Sequence, residues 1–137
     1  VQSISQEEIF VKVAVEIKTP VHPTESESKV KKALESIFPC VQFFLEGTIF
    51  KGKSEELKSL DRLKELLKAQ RIRSTANKIL RNSLFGSELV FSLNKQAAFM
   101  GKVNFSEDSP LGPITVTISC EDMEALITYL SPLTSEM

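Results

Sequence analysis

Residues 9–18, IFVKVAVEIK, put Ile9, Val11, Val13, Val15 and Ile17 on alternate positions, with Phe10, Lys12, Ala14, Glu16 and Lys18 between them. A period of two marks a strand with one buried face. Such a strand needs a second layer to cover its apolar side, so this run commits the chain to a layered fold containing a sheet.

The next segment, TPVHPTESES, breaks the strand with two prolines and supplies capping residues. Ser26 or Ser28 is expected to start a helix, SKVKKALESIF, in which Val30, Ala33, Leu34, Ile37 and Phe38 follow helical spacing and Pro39 is the stop. CVQFFLEGTIFKGK reads as a second strand, bulged at Gly47. Residues 55–84 are helical, with two apolar stripes. Leu60, Leu63 and Leu67 form one, and Ile72, Ala76, Ile79 and Leu80 form another, offset by nearly half a turn. Two helices with a break near Gln70 are expected. On the second, Arg71, Ser74, Lys78 and Arg81 share the face opposite the apolar stripe.

After Gly86 come three strand-like runs, ELVFSLN, AAFMGKVNF and PITVTIS, and then a helix, EDMEALITYL, ended by Pro132. The expected order is β-α-β-α-α-β-β-β-α. Three sequential strands without intervening helices predict an α+β two-layer sandwich: one mixed, mostly antiparallel five-stranded sheet with its helices on one face.

A chain of 137 residues fits one domain, residues 1–137, with a frayed segment over 1–7, and it can bury a core without metal or disulfide staples. No apolar run is long enough to span a bilayer and no basic-then-apolar leader is present, so a cytoplasmic protein without membrane contact is expected. Cys40 and Cys120 lack the spacing of a metal or redox pair and read as buried, reduced thiols.

One stretch does suggest chemistry. GTIFKGKS, residues 47–54, matches the phosphate-loop pattern G-x-x-x-x-G-K-[ST] and lies between a strand-like and a helical run. In such a loop, glycine N–H groups turn inward around phosphate oxygens, and Lys and Ser complete the site. The β-branched and aromatic TIFK suits a strand better. The chain also lacks the alternating β and α units of a nucleotide-binding sheet, so nucleotide binding here is only a remote alternative. His22, the one histidine, lies between prolines and reads as a turn residue. No carboxylate pair is placed by spacing for acid–base work. The expectation is a protein without enzymatic activity, cofactor, metal site or evident small-molecule substrate.

Charge is more informative. The net charge of −1 conceals a middle segment, residues 58–81, with eight basic and two acidic side chains. The flanking segments both carry excess acid, so a localised basic surface is expected. Lys64, Lys68, Arg71, Arg73, Lys78 and Arg81 crowd this region, joined by Lys95 and Lys102. Clustered cations of this kind release counterions on meeting phosphates. If AAFMGKVNF is a strand, Phe99 and Phe105 point into the core. Ala98, Met100, Lys102 and Asn104 then lie on the other face, with Ser92, Asn94, Thr115 and Thr117, forming a polar surface without an aromatic platform. That face suits an RNA backbone, a second copy of the chain in a homodimer, or simple contact with water.

Three stretches carry a family likeness: HPTESESKVKKALESIFP, LKELLKAQRI with the following ANKIL, and NKQAAFMGKVNFSEDSPLGPITVTI. Together they resemble an archaeal group known as uncharacterised protein family 0201, described as predicted RNA-binding or exosome-associated. The resemblance covers roughly residues 8–134. It implies the two-layer fold of the ribosomal protein that binds five-S RNA, and it brings no catalytic residues. The positions closest to the family's signature are Gln70, Arg71, Asn94, Lys95, Gln96, Gly101, Lys102 and Asn104. Where the family commonly has Asn before Pro-Thr-Glu, this chain has His22. RNA is thus the expected partner, with Arg71, Lys78 and Arg81 on phosphates and Asn94, Lys95, Gln96, Lys102 and Asn104 at the end of the sheet. A homodimer or other protein–protein module is the alternative.

Overall fold

A computed structural model describes residues 13–106 and 111–132; the expected frayed segment and the start of the first strand lie outside them. Among the described residues six strands form one open sheet: β1 (Ala14–Pro20), β2 (Phe43–Glu46), β3 (Ile49–Ser54), β4 (Leu84–Phe85), β5 (Glu88–Leu93) and β6 (Ile114–Ser119). Their spatial order is β2-β3-β1-β6-β5-β4, and every pairing is antiparallel. The described residues also form five α-helices: α1 (Glu27–Ile37), α2 (Asp61–Ala69), α3 (Arg73–Arg81), α4 (Lys95–Phe99) and α5 (Met123–Leu130). A 3₁₀ turn, Leu57–Leu60, leads into α2.

The two-layer α+β expectation holds, with six strands rather than five and no parallel pair. Alternation in β1 is as predicted: Val13, Val15, Ile17 and Thr19 are buried and Ala14 and Lys18 exposed. Ser26 is the cap of α1, its hydroxyl accepting from the Lys29 amide. Val30, Ala33, Leu34 and Ile37 face the core from α1. Their spacing makes the contact continuous, and burying each large side chain contributes about 1.5–3 kcal/mol.

Besides the short strand β4, which takes Leu84 out of the segment 55–84 expected to be helical, two departures change the order of elements. The predicted strand through Gly47 is a hairpin. Gly47 takes φ 62 and begins a two-residue turn, which a glycine satisfies without strain, and β2 and β3 pair across it. Gly52, inside β3, is also required there: a Cβ would fall 2.6 Å from the Phe43 ring. The second departure is AAFMGKVNF, which is no strand. Its first residues complete α4, and the chain then runs irregularly toward β6. Asn94 starts this helix by accepting from the Ala97 amide at 2.8 Å, and Gly101, at φ 75, ends it. As a result Ala98 is buried and Phe99 exposed, the reverse of the expected faces, while Phe105 is half-buried against Phe91. The expected polar sheet face therefore loses Ala98, Met100, Lys102 and Asn104.

Cys40 is exposed and Cys120 half-exposed, so neither is the buried thiol expected; burial still raises the Cys120 pKa. His22 is an exposed turn residue, its amide donating to Glu25 Oε1 at 2.7 Å. Among the described residues no helix is long and apolar enough to cross a membrane.

Candidate nucleic-acid interface

The break between α2 and α3 is a left-handed helix cap. The Arg71 amide donates to the Lys68 carbonyl and the Ile72 amide to the Leu67 carbonyl, both at 3.1 Å, with Arg71 at φ 59. Glycine usually fills such a position; Arg71 is the only described non-glycine residue with positive φ. Helix α4 ends the same way. The Gly101 amide donates to Ala98 and the Lys102 amide to Ala97.

Gln70 ties these two helix ends together. Its Nε2 donates to the Val103 carbonyl at 2.9 Å, and its Oε1 accepts from the Val103 amide at 2.8 Å. Arg71 and Lys102, each next in sequence to one of the bonded residues, are thereby held at a common corner and are exposed. Lys68 is exposed on the last turn of α2, and Lys78 is exposed on α3. Lys68 and Lys78 have no ion-pair partner among the described residues. The negative end of α2 also favours Lys68 and Arg71 where they stand.

Other predicted cations serve the fold. Arg81 makes a two-pronged pair with Glu124 on α5, at 2.6 and 2.7 Å, and its Nε donates to Asn77. The hydrogen bond from Arg81 holds the Glu124 carboxyl below the ordinary carboxylate pKa, and Glu124 in turn raises that of Arg81. Lys64 donates to the Tyr129 carbonyl at 2.7 Å and stands 4.2 Å above the ring centre of that residue. Burial, then the nearby charge of Arg73, lowers its pKa. Lys95 is 3% exposed and bonds Glu25, the Pro20 carbonyl and the Leu111 carbonyl. Arg73 is half-buried and engaged in the fold.

Asn94 is consumed in capping α4, and its amide donates to the Asn104 carbonyl at 2.7 Å. Gln96, Lys102 and Asn104 are exposed. The eleven predicted contact residues thus separate into an exposed set (Lys68, Arg71, Lys78, Gln96, Lys102, Asn104) and a set committed within the fold (Lys64, Arg73, Arg81, Asn94, Lys95).

The uncovered face of the sheet holds cations that were not singled out. The cross-strand row Phe44–Lys51–Lys18–Thr115–Ser92 runs over it, and Lys53 lies opposite Glu16 in the neighbouring row. Lys51 pairs with Glu46 at 3.0 Å and Lys18 with Glu16 at 3.8 Å. The alternation of β1 and of FKGK carried this signal. The same pairing excludes a phosphate loop at GTIFKGKS. Residues 49–54 are a strand with β1 on one side and β2 on the other, so their amides serve the two ladders and cannot converge on an anion. Among the described residues no cluster of His, Cys, Asp and Glu is suited to a metal ion.

A protein family described as RNA binding matches residues 14–120. A UPF0201 protein of Pyrococcus horikoshii is 43% identical over 126 residues, covering 89% of this chain and 91% of its own. One from Metallosphaera sedula is 38% identical over 84% of this chain and 85% of its own. Among solved structures, a UPF0201 protein from Methanococcus jannaschii superposes with a TM-score of 0.79 at 37% identity, over 87% of this chain and 99% of the other.

Proposed function

The chain belongs to the UPF0201 family, and on that premise we propose that it binds RNA, without catalysis, through the corner where α2 meets the loop after α4. The observation that carries this reading is the Gln70–Val103 pair, which ties together the two chain segments that bear Arg71 and Lys102, the first of them in the basic segment 58–81. Lys68, Arg71, Lys78 and Lys102 contact phosphates in this reading. Such contacts position an RNA by shape and carry no sequence information of their own. Arg81 is kept from phosphates by Glu124, and Lys95 by its burial.

The test is fluorescence-anisotropy binding of a short structured RNA, titrated across salt. Several phosphate contacts give a steep fall of log affinity with log salt, and Arg71→Ala or Lys102→Ala each reduce that slope by about 1. No binding even at low salt sinks the reading.

A second reading, a homodimer through the open sheet face, is favoured by one feature. Phe44 and Phe85, 65% and 67% exposed, stand at opposite margins of that face. Lys51 and Lys53 lie toward one margin and Glu88 toward the other. A two-fold axis would set each margin against its complement. Sedimentation of wild type and Phe44→Ser decides it: a dimer lost in the variant supports this reading, and a monomeric wild type removes it.

A further inference from the structure

The cavity between α1 and α4 is a separate feature. The Ser36 hydroxyl of α1 reaches the Ala98 carbonyl of α4, so the two helices are fixed against each other. Beside that contact a cavity of about 460 Å³ opens to solvent, with Val30, Ala33, Phe99 and Met100 as apolar wall and Lys29 and Gln96 at its rim. Its volume falls within the range of small-ligand sites. Phe99 is 47% exposed and Met100 71%, in a chain that buries Phe38, Phe43, Phe50 and Phe91 almost completely. The left-handed turn at Gly101 ends α4 and leaves both side chains at the lip.

We propose that this cavity takes one unstacked nucleobase of a bound single-stranded RNA segment, stacked on Phe99 and read at its edge by Gln96. The proposal rests on the RNA-binding reading above and adds to it a site for a base where the basic corner holds only phosphates. A flat π-system is the ligand that gains most from an exposed aromatic ring and a thioether. Gln96 carries a donor and an acceptor on one exposed side-chain amide, the pattern that pairs with a base edge; its carbonyl accepts from the Met100 amide, while the side-chain amide makes no hydrogen bond among the described residues. Lys29 is exposed without an ion-pair partner among the described residues, placed for the phosphate of the inserted nucleotide. Lys95 and Glu25 also line the cavity, but they satisfy each other and so contribute no charge to it. Charge favours a nucleotide over an apolar peptide. The lip at Met100 is two residues from Lys102, so a strand leaving the cavity meets the same corner of cations.

The experiment compares a short single-stranded oligoadenylate with an RNA duplex of equal phosphate number, by anisotropy at low salt. Wild type, Phe99→Ala, Phe99→Tyr, Gln96→Ala and Arg71→Ala are measured in parallel. Phe99→Ala is expected to weaken the single strand about tenfold and leave the duplex unchanged, with Phe99→Tyr restoring binding. A 2-aminopurine placed within the oligoadenylate should change its fluorescence with wild type and not with Phe99→Ala. If Phe99→Ala and Gln96→Ala bind both RNAs as wild type does while Arg71→Ala weakens both, the cavity proposal is overturned and the RNA reading stands. If wild type binds neither RNA, both fall. Self-association abolished by Phe99→Ala, with RNA binding untouched, would assign the cavity to a protein and overturn the proposal.

Discussion

Gln70 and Val103 are joined through both ends of the Gln70 amide, at 2.9 and 2.8 Å, so that one side chain does for Val103 what a neighbouring strand would do. Val103 is 4% exposed and water cannot readily replace this partner. Because Gln70 is the cap of α2 and Val103 follows the cap of α4, the bond couples the ends of two helices that are distant in sequence.

Gln70→Ala should therefore destabilise the protein by about 1–3 kcal/mol, the usual cost of leaving buried polar groups without partners. Gln70→Glu should be comparably harmful, since a carboxylate can accept from the Val103 amide but cannot donate to its carbonyl. Urea unfolding measures both. If the corner binds RNA, both variants also weaken binding while every cation remains in place.

Arg71→Gly separates stability from function. A non-glycine residue in the left-handed region costs about 1–2 kcal/mol, and glycine returns part of that through its greater freedom in the unfolded chain. The variant should be more stable by up to about 1 kcal/mol, read by urea unfolding, and should bind RNA with a shallower salt slope. A variant that is more stable and binds as well as wild type would remove Arg71 from the interface.

Much of this could be read from the sequence. Alternation in β1, the Ser26 cap of α1 and the phase change near Gln70 all rest on local patterning, and each is found. Helix α4 was missed because five residues are too few to show a helical period, and Ala98 and Met100 happen to alternate with Phe99 and Gly101 as a strand would. The division of the cations was hidden for a different reason. Glu124, Glu25 and Tyr129, which engage Arg81, Lys95 and Lys64, come from distant segments. Nothing local distinguishes Arg81 from Lys78 on the same helix face.

The Lys95–Glu25 pair gives a third expectation. Both side chains are nearly dry, at 4% and 11% exposure, and Lys95 also serves two backbone carbonyls. Lys95→Met leaves Glu25 without its cation and should cost about 3–5 kcal/mol. Glu25→Gln should be costly for the same reason. The double variant Lys95→Met/Glu25→Gln should recover part of the loss, and a double-mutant cycle in urea measures the coupling. Its RNA salt slope should match wild type, because Lys95 is held inside the fold.

Glu124→Gln tests whether the fold withholds a phosphate contact. The pair with Arg81 keeps the Glu124 carboxyl below its ordinary pKa, so its contribution to stability is present above the usual carboxylate range. That contribution is lost as pH falls through the lowered folded-state value. Glu124→Gln should remove this component of acid sensitivity, seen by comparing unfolding midpoints of wild type and variant at neutral and at strongly acid pH. The pair is exposed, so the change at neutral pH should be small. RNA binding should move the other way. Freed from its carboxylate, the Arg81 guanidinium joins Lys78 on the outer face of α3, and the salt slope should steepen by about 1. An unchanged slope would confine RNA to the Arg71–Lys102 corner and leave Arg81 as a brace between α3 and α5.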